Sequence, residues 1–273
     1  NHNGDPALAR RLVDHAREAG ADCVKFQMRD LRHHYAAADG RAQDLSAEYT
    51  RDLLLKFNLP AEELFRLFDH CTARGIEPLC TPWDEPSLEG LGRYGMPALK
   101  IASADLNNHD LLSLAAATGK PLLCSTGMSA ESEIRDSVAL LRESGTPFRL
   151  LHCNSTYPTP FRDINLRYME RLAEIAGAPV GYSGHERGWA VAVAAVALGA
   201  CIVEKHLTVS RDLEGNDHRV SLLPAEFRAM VEAIRAVEES LGEVAPRTLS
   251  SGERLNREAL AKSLHARSDI PAG

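Results

Sequence analysis

The sequence predicts a (β/α)8 TIM barrel, and three observations carry that expectation. From Asp5 onward, amphipathic helical stretches alternate with short apolar, β-branched runs, the pattern of parallel β/α units. Nearly every apolar run ends in polar residues at the same end, as a barrel with one shared mouth requires. No Gly-rich dinucleotide turn follows any run, which disfavours the structural alternative, a doubly wound open sheet.

Taken in order, seven runs read as strands: 21–27, 76–82, 98–103, 121–126, 149–155, 179–185 and 201–208. Eight stretches read as helices: 5–19, 61–74, 85–94, 108–118, 131–144, 163–175, 187–198 and 224–241. A first helix without a strand before it places the first strand of the barrel upstream of Asn1, running into the turn Asn1, His2, Asn3, Gly4. Asp5 and Pro6 then serve as N-cap and first residue of the first helix.

The barrel is expected over 1–241, a linker over 242–262, and the opening strand and turn of a further domain over 263–273. Between Met28 and Pro60 lies a long polar connection that contains Arg29, Arg32, His33 and His34; connections of such length are often functional.

A formal charge of −7, from 31 basic and 38 acidic residues, argues against nucleic acid as a partner while leaving room for a local basic pocket. The 6 cysteines are scattered with no CxxC pair, most of them inside apolar runs, and read as reduced core cysteines of a cytoplasmic protein. The most apolar stretch, 189–198, is about half the length a bilayer span needs, so no membrane segment is expected.

The polar strand ends are Lys25 and Gln27, Thr81, Lys100 and Ser103, Ser125 and Thr126, Asn154 and Ser155, Ser183 and His185, and Glu204 and His206. His185 and His206 occupy equivalent ends of consecutive strands, which sets two imidazoles side by side. Two neutral imidazoles suit a borderline divalent ion able to act as a Lewis acid; two structural histidines bonded to loop backbone are the other reading. Lys25 and Lys100 close apolar strands and need an anion to offset their desolvation. A phosphate, an acid such as Glu204, or a role as Schiff-base nucleophile each meets that need. Asp105 and Asp217 are the candidate acid and base, with capping of a helix or turn as the alternative.

With these residues in place, the chain resembles the sialic acid synthase family, including its legionaminate, pseudaminate and spore-coat relatives. The resemblance covers essentially the whole chain. It is carried by Asn1 to Asp5, Ala19 to Gln27, Thr81 with Pro82, Lys100 to Ser103, Gly119 to Met128, Leu151 to Cys153, Tyr157 to Pro160, Gly181 to His185 and Glu204 to Thr208.

The resemblance implies a transferase that condenses phosphoenolpyruvate with N-acetylmannosamine or a related amino-sugar aldehyde. It implies a divalent metal on His185 and His206, manganese first, with magnesium, cobalt or zinc as alternatives. Phosphoenolpyruvate contacts fall on Lys25, Thr81, Lys100, Ser103, Ser125 and Ser183, and sugar contacts on Gln27, Tyr157 and Asp217; Lys25, Lys100 and Asp105 are the implied catalytic groups. Ser155 stands where the family has an asparagine near phosphoenolpyruvate, and Asp105 where it has a longer glutamate. The family's strand-one glutamate would fall before Asn1. The small domain after the barrel is antifreeze-like (SAF) in the family, where a domain-swapped homodimer brings its arginine over the partner's active site. A lysine-dependent aldolase and a lapsed sugar- or phosphate-binding barrel remain the alternatives.

Overall fold

A computed structural model describes residues 1–31 and 51–272; Arg32, His33 and His34 of the long connection lie outside them. Seven strands form one parallel sheet in sequence order. They are β1 (Cys23–Met28), β2 (Glu77–Pro82), β3 (Leu99–Ile101), β4 (Leu122–Ser125), β5 (Phe148–Cys153), β6 (Gly181–Gly184) and β7 (Val203–Lys205). All seven runs read as strands in the sequence contain strands: five lie within the run as read, β1 starts two residues later and ends one later, and β5 starts one residue earlier and ends two earlier. Their residues are apolar on both faces because both faces are covered: Leu99, Ile101, Leu122, Cys124, Leu150 and Leu151 are all at or below 1% exposure. The sheet is curled. Lys25 on β1 and Glu204 on β7, at opposite ends of the strand order, meet in an ion pair at 2.5 Å, and a flat seven-stranded sheet would hold them tens of ångströms apart at roughly 4.8 Å per strand. No ladder joins β1 to β7 among the described residues, so the eighth strand expected between them is not seen.

Helices alternate with the strands: α1 (Pro6–Glu18), α2 (Arg51–Phe57), α3 (Ala61–Ala73), α4 (Glu85–Tyr94), α5 (His109–Ala117), α6 (Glu131–Ser144), α7 (Tyr168–Ala176), α8 (Ala190–Ala197), α9 (Asp217–Val220), α10 (Pro224–Leu241) and α11 (Ser251–Leu260). The start of α1 follows the sequence: Asp5 accepts from the Ala7 N–H and Pro6 opens the helix. Its buried stripe is Ala9, Val13 and Ala16, spaced for one face. On α3 the stripe is Leu64, Leu67, Phe68 and Cys71. Phe68 stands edge-on to Phe26 of β1 at 5.4 Å and to Tyr94 of α4 at 5.2 Å. That aromatic group fixes the outer face of β1, and strand alternation then turns Lys25 and Gln27 inward.

Three local expectations are corrected. The helix expected over 163–175 begins only at Tyr168, because Asn165 takes a left-handed conformation (φ 48°) that interrupts a right-handed helix. The connection after β1 carries a helix, α2. A second compact unit, Leu241–Gly273, contains α11 where a linker was expected, capped reciprocally by Ser250 and Glu253. Within 262–272 no strand forms; an extended segment becomes a strand only when a partner takes up its backbone hydrogen bonds.

All 6 cysteines are free; Cys71, Cys80, Cys124 and Cys153 are buried as core residues, whereas Cys23 and Cys201 are exposed, a correction to the core reading, because they stand at the margins of the β1 and β7 edges. Among the described residues no helix is long and apolar enough to cross a membrane.

Phe68→Ala, which empties the centre of the aromatic group, is expected to cost about 3–5 kcal/mol in urea denaturation. Leu255→Ala on the exposed α11 surface should change the same measurement by less than about 0.5 kcal/mol.

Candidate functional site

Inward residues of successive strands line a cavity of about 1300 Å³ that runs from the C-terminal strand ends to the N-terminal ends of β1 and β7. The cavity extends between β1 and β7, where Val24 and Val203 also line it. Every site residue expected from the sequence lines it except Asp105. Asp105 is buried in a short 3-10 turn, Ser103–Asp105, where its carboxylate accepts from the Asn108 side chain at 3.1 Å. That places Asp105 in the turn behind the cavity wall, beside Asn108, whose own side chain caps α5 by accepting from the Leu111 N–H.

The floor is a charge cluster. Glu204 of β7 lies 2.5 Å from Lys25 Nζ and 3.7 Å from Lys100 Nζ. The alternative that the lysines pair with Glu204 is therefore realised, yet one carboxylate between two ammoniums leaves a net positive centre. Burial opposes the charge on Lys25, but the Glu204 carboxylate outweighs it and raises the Lys25 pKa above the ordinary lysine value. For Lys100, whose side chain is 3% exposed, burial wins over the more distant Glu204 and lowers the pKa. Glu204 stays far below the usual carboxylate range: burial disfavours its charge, and the two lysines more than compensate.

Above the cluster, hydroxyl and amide donors gather. Lys100 Nζ donates to Ser125 Oγ at 2.6 Å and to the Ile101 carbonyl at 2.9 Å. The Gly127 N–H donates to Ser103 Oγ at 3.1 Å. A Cβ on Gly127 would stand 2.5 Å from Ser155 Oγ and 2.8 Å from Cys153 Sγ, so only glycine lets this backbone come so close to the cavity wall. Ammonium groups, serine hydroxyls and a backbone amide around a net positive centre make an anion site.

Beside it stand the imidazoles, with ring centroids 5.3 Å apart. His185 Nδ1 donates to the Asn154 carbonyl at 2.8 Å, so in the neutral ring Nε2 is the lone-pair nitrogen; burial opposes protonation, but Cys153 and the Asn154 carbonyl outweigh it and raise the His185 pKa above the ordinary histidine value. Nε2 accepts from the Tyr157 hydroxyl at 2.9 Å. His206 Nδ1 lies 3.6 Å from Asp217. Burial, opposed by Asp217 and helped by His185, pushes the His206 pKa down to about 4, so it is neutral at physiological pH. A neutral ring and a fixed tautomer with an inward lone pair are what a divalent metal needs of imidazoles, and the two residues fit one on this ground. No group of three or more His, Cys, Asp or Glu side chains arranged to hold a metal occurs among the described residues, so any ion here would keep open positions.

At the rim, Gln27 Oε1 accepts from Arg29 at 2.7 Å and from Trp83 Nε1 at 2.9 Å, while the Arg29 guanidinium lies 4.1 Å from the Trp83 ring centroid. Thr81 and Ser183 are buried in the wall, at 1% and 3% exposure. Ser155 reaches Cys153 Sγ at 3.9 Å, whereas Asn154 braces its own loop through Asp163 and Thr156.

Trp83 and Cys153 were not singled out as site residues from the sequence, whereas the turn Ser125, Thr126, Gly127 was read as a source of hydroxyl and backbone N–H donors. Trp83 follows β2 immediately, so its place just past a strand end was the available signal. Cys153 looked like any core cysteine.

Residues 12–245 match the NeuB family. The chain is 42% identical over 243 residues to an uncharacterized protein of Methanocaldococcus jannaschii, covering 89% of this chain and 69% of that one. It is 34% identical over 281 residues to the N,N'-diacetyllegionaminic acid synthase of Campylobacter jejuni, covering 100% of this chain and 84% of the relative. The crystal structure of N-acetylneuraminic acid (sialic acid) synthetase from Leptospira borgpetersenii, in complex with citrate, superposes with a TM-score of 0.84 at 33% identity, covering 96% of this chain and 90% of that one.

Sulfate, which does not titrate in the working range, reports on the charge cluster. Lys100→Met removes one charge-assisted bond and should weaken sulfate binding by about 1.5–3 kcal/mol, roughly ten- to a hundredfold in calorimetry. Because burial lowers the Lys100 pKa, its ammonium form is lost at a lower pH than for an ordinary lysine. Sulfate affinity should therefore fall as the pH is raised into the alkaline range, and the variant should lose that dependence.

Proposed function

The chain belongs to the NeuB family, and from that premise we propose that it joins phosphoenolpyruvate to an amino-sugar aldehyde of the N-acetylmannosamine type. Water adds, phosphate leaves, and the product is a nonulosonic acid. The family's characterised relatives are acid synthases, and this chain is an enzyme of that class. What carries the finer reading is the juxtaposition in one cavity of a net positive anion cradle and two adjacent imidazoles.

In this reading Lys25, Lys100, Ser125 and the Gly127 N–H hold the phosphate and carboxylate of phosphoenolpyruvate, with Thr81, Ser103 and Ser183 shaping the walls. Lys100, already set by Ser125 and the Ile101 carbonyl, holds its position without reorganising as charge builds on the departing phosphate. His185 and His206 hold a divalent ion, manganese foremost. When bound, that ion supplies Lewis acidity toward the aldehyde oxygen. Tyr157 and Gln27 orient the sugar, and Asp217, next to His206, moves a proton at the sugar end. The enolpyruvate C3 forms the new bond to the aldehyde carbon, whose oxygen takes up a proton. Water adds to the cation left at C2, and the bond from C2 to the phosphate oxygen breaks.

A Schiff-base aldolase is the competing chemistry, and one observation favours it: Lys100 is buried with a lowered pKa, the condition for a nucleophilic lysine. Its bonds to Ser125 and Ile101, and the Glu204 charge nearby, oppose free attack.

The deciding experiment incubates the full-length protein with phosphoenolpyruvate, manganese and a panel of hexosamine-derived aldehydes, reading phosphate release and product mass. The proposal expects stoichiometric phosphate and a product heavier than the aldehyde by one pyruvate unit. A borohydride-trapped pyruvate adduct on Lys25 or Lys100, without phosphate release, would overturn it. His185→Ala is expected to lower turnover by about a hundredfold or more, on the scale of losing an electrostatic catalytic group, while leaving circular dichroism unchanged.

A further inference from the structure

Lys205 and Glu186 take no part in the chemistry above, yet they form a fully buried ion pair. Their side chains are 0% and 1% exposed. Lys205 Nζ donates to Glu186 Oε1 at 3.0 Å and to the Glu186 carbonyl at 2.8 Å. The Tyr182 hydroxyl donates to the other carboxylate oxygen at 2.7 Å. Strand alternation points Tyr182 and Lys205 to the side opposite Ser183 and Glu204, although Lys205 also borders the cavity where it extends between β1 and β7.

Their positions in the chain are informative. Glu186 follows His185, and Lys205 precedes His206. The ladder between β6 and β7 ends at Gly184 opposite Lys205, so the two histidines lie one residue past its last pair. No β6–β7 ladder bond reaches the imidazole-bearing residues. There the His185 carbonyl accepts from the Thr159 N–H at 3.1 Å and the His206 carbonyl from the Leu222 N–H at 2.8 Å, while the Lys205–Glu186 bonds tie the backbone just after one histidine to the strand just before the other. The Glu186 carboxylate folds back so closely that a Cβ on Gly184 would lie 2.6 Å from Oε2, which explains the glycine before His185. Stability alone does not account for such a cluster, because a buried ion pair is commonly no more stabilising than an apolar pair of the same volume.

We propose that Tyr182, Glu186 and Lys205 are positioning residues that set the spacing and orientation of the His185 and His206 imidazoles, and thereby the metal affinity of the site. The proposal rests on the metal reading given above for its consequence, although the spacing of the rings can be read independently.

The test uses the full chain carrying Glu186→Gln with Lys205→Met, an uncharged pair of similar volume, and separately Tyr182→Phe. Manganese(II) binding without substrate is followed by electron paramagnetic resonance of the free ion. Nitrogen-15 histidine spectra, with ring-to-ring proton contacts, report the His185 tautomer and the His185–His206 approach. The expected result is a folded double variant whose manganese affinity falls about ten- to a hundredfold, on the scale of lost supporting bonds around metal ligands, and whose ring contact is lost. Affinity within about threefold of wild type, with unchanged ring spectra, would overturn the proposal, because so small a change falls well short of that range. If the wild type binds no manganese, the metal reading fails and the ring contacts alone decide the positioning role. If the double variant does not fold, Tyr182→Phe decides by the same two measurements, with a smaller loss expected.

Discussion

One carboxylate shared by two lysines connects the fold of this protein to its chemistry. Glu204 at the last strand of the sheet reaches Lys25 on the first and Lys100 on the third, so the contact exists only because the sheet curls until its ends approach. Removing three charges from bulk water is costly, and attraction within the cluster offsets that cost incompletely for Lys100. The imbalance is useful. A net positive centre held by rigid strands, with serine hydroxyls and a glycine amide above it, is ready for an anion before one arrives, and none of its groups need move to receive it.

The imidazole pair depends on the same geometry through β7, which carries Glu204 toward the lysines and His206 toward His185. Alternation along a strand makes Lys205, the residue between them, point the other way. A three-residue strand and the residue that follows it thus contribute an anion-site acid, a buried tie to Glu186 and a candidate metal ligand. The neighbouring strand β6 repeats the scheme with Ser183 inward and Tyr182 outward, so order on the hidden face supports order in the cavity.

The sequence was informative where periodicity and chemistry coincided. All seven strands were visible because a doubly covered parallel strand is an apolar run, and a polar residue at its end is conspicuous. Less was visible where a local residue overruled the pattern, as when Asn165 adopted a left-handed conformation and delayed α7. The helix Ser251–Leu260 was missed although Ser250 and Glu253 spell its capping box, because its apolar stripe is thin and Gly252 weakens it. Asp105 shows the limit for single acids: its place after Ser103 gave no means to tell a wall of the cavity from a place in a buried turn behind it.

The residues themselves determined the alternation of strands and helices, the polar end of each strand, and the pairing of two histidines at equivalent heights, since these follow from side-chain period and spacing along the chain. Tertiary structure decided which partner each charge took. That Glu204 stands between Lys25 and Lys100, that His185 presents Nε2 inward because Asn154 holds Nδ1, and that Lys205 is buried against Glu186 all depend on distances between segments far apart in sequence. Electrostatic and hydrogen-bond energies vary steeply over an ångström, and only the folded chain sets those separations.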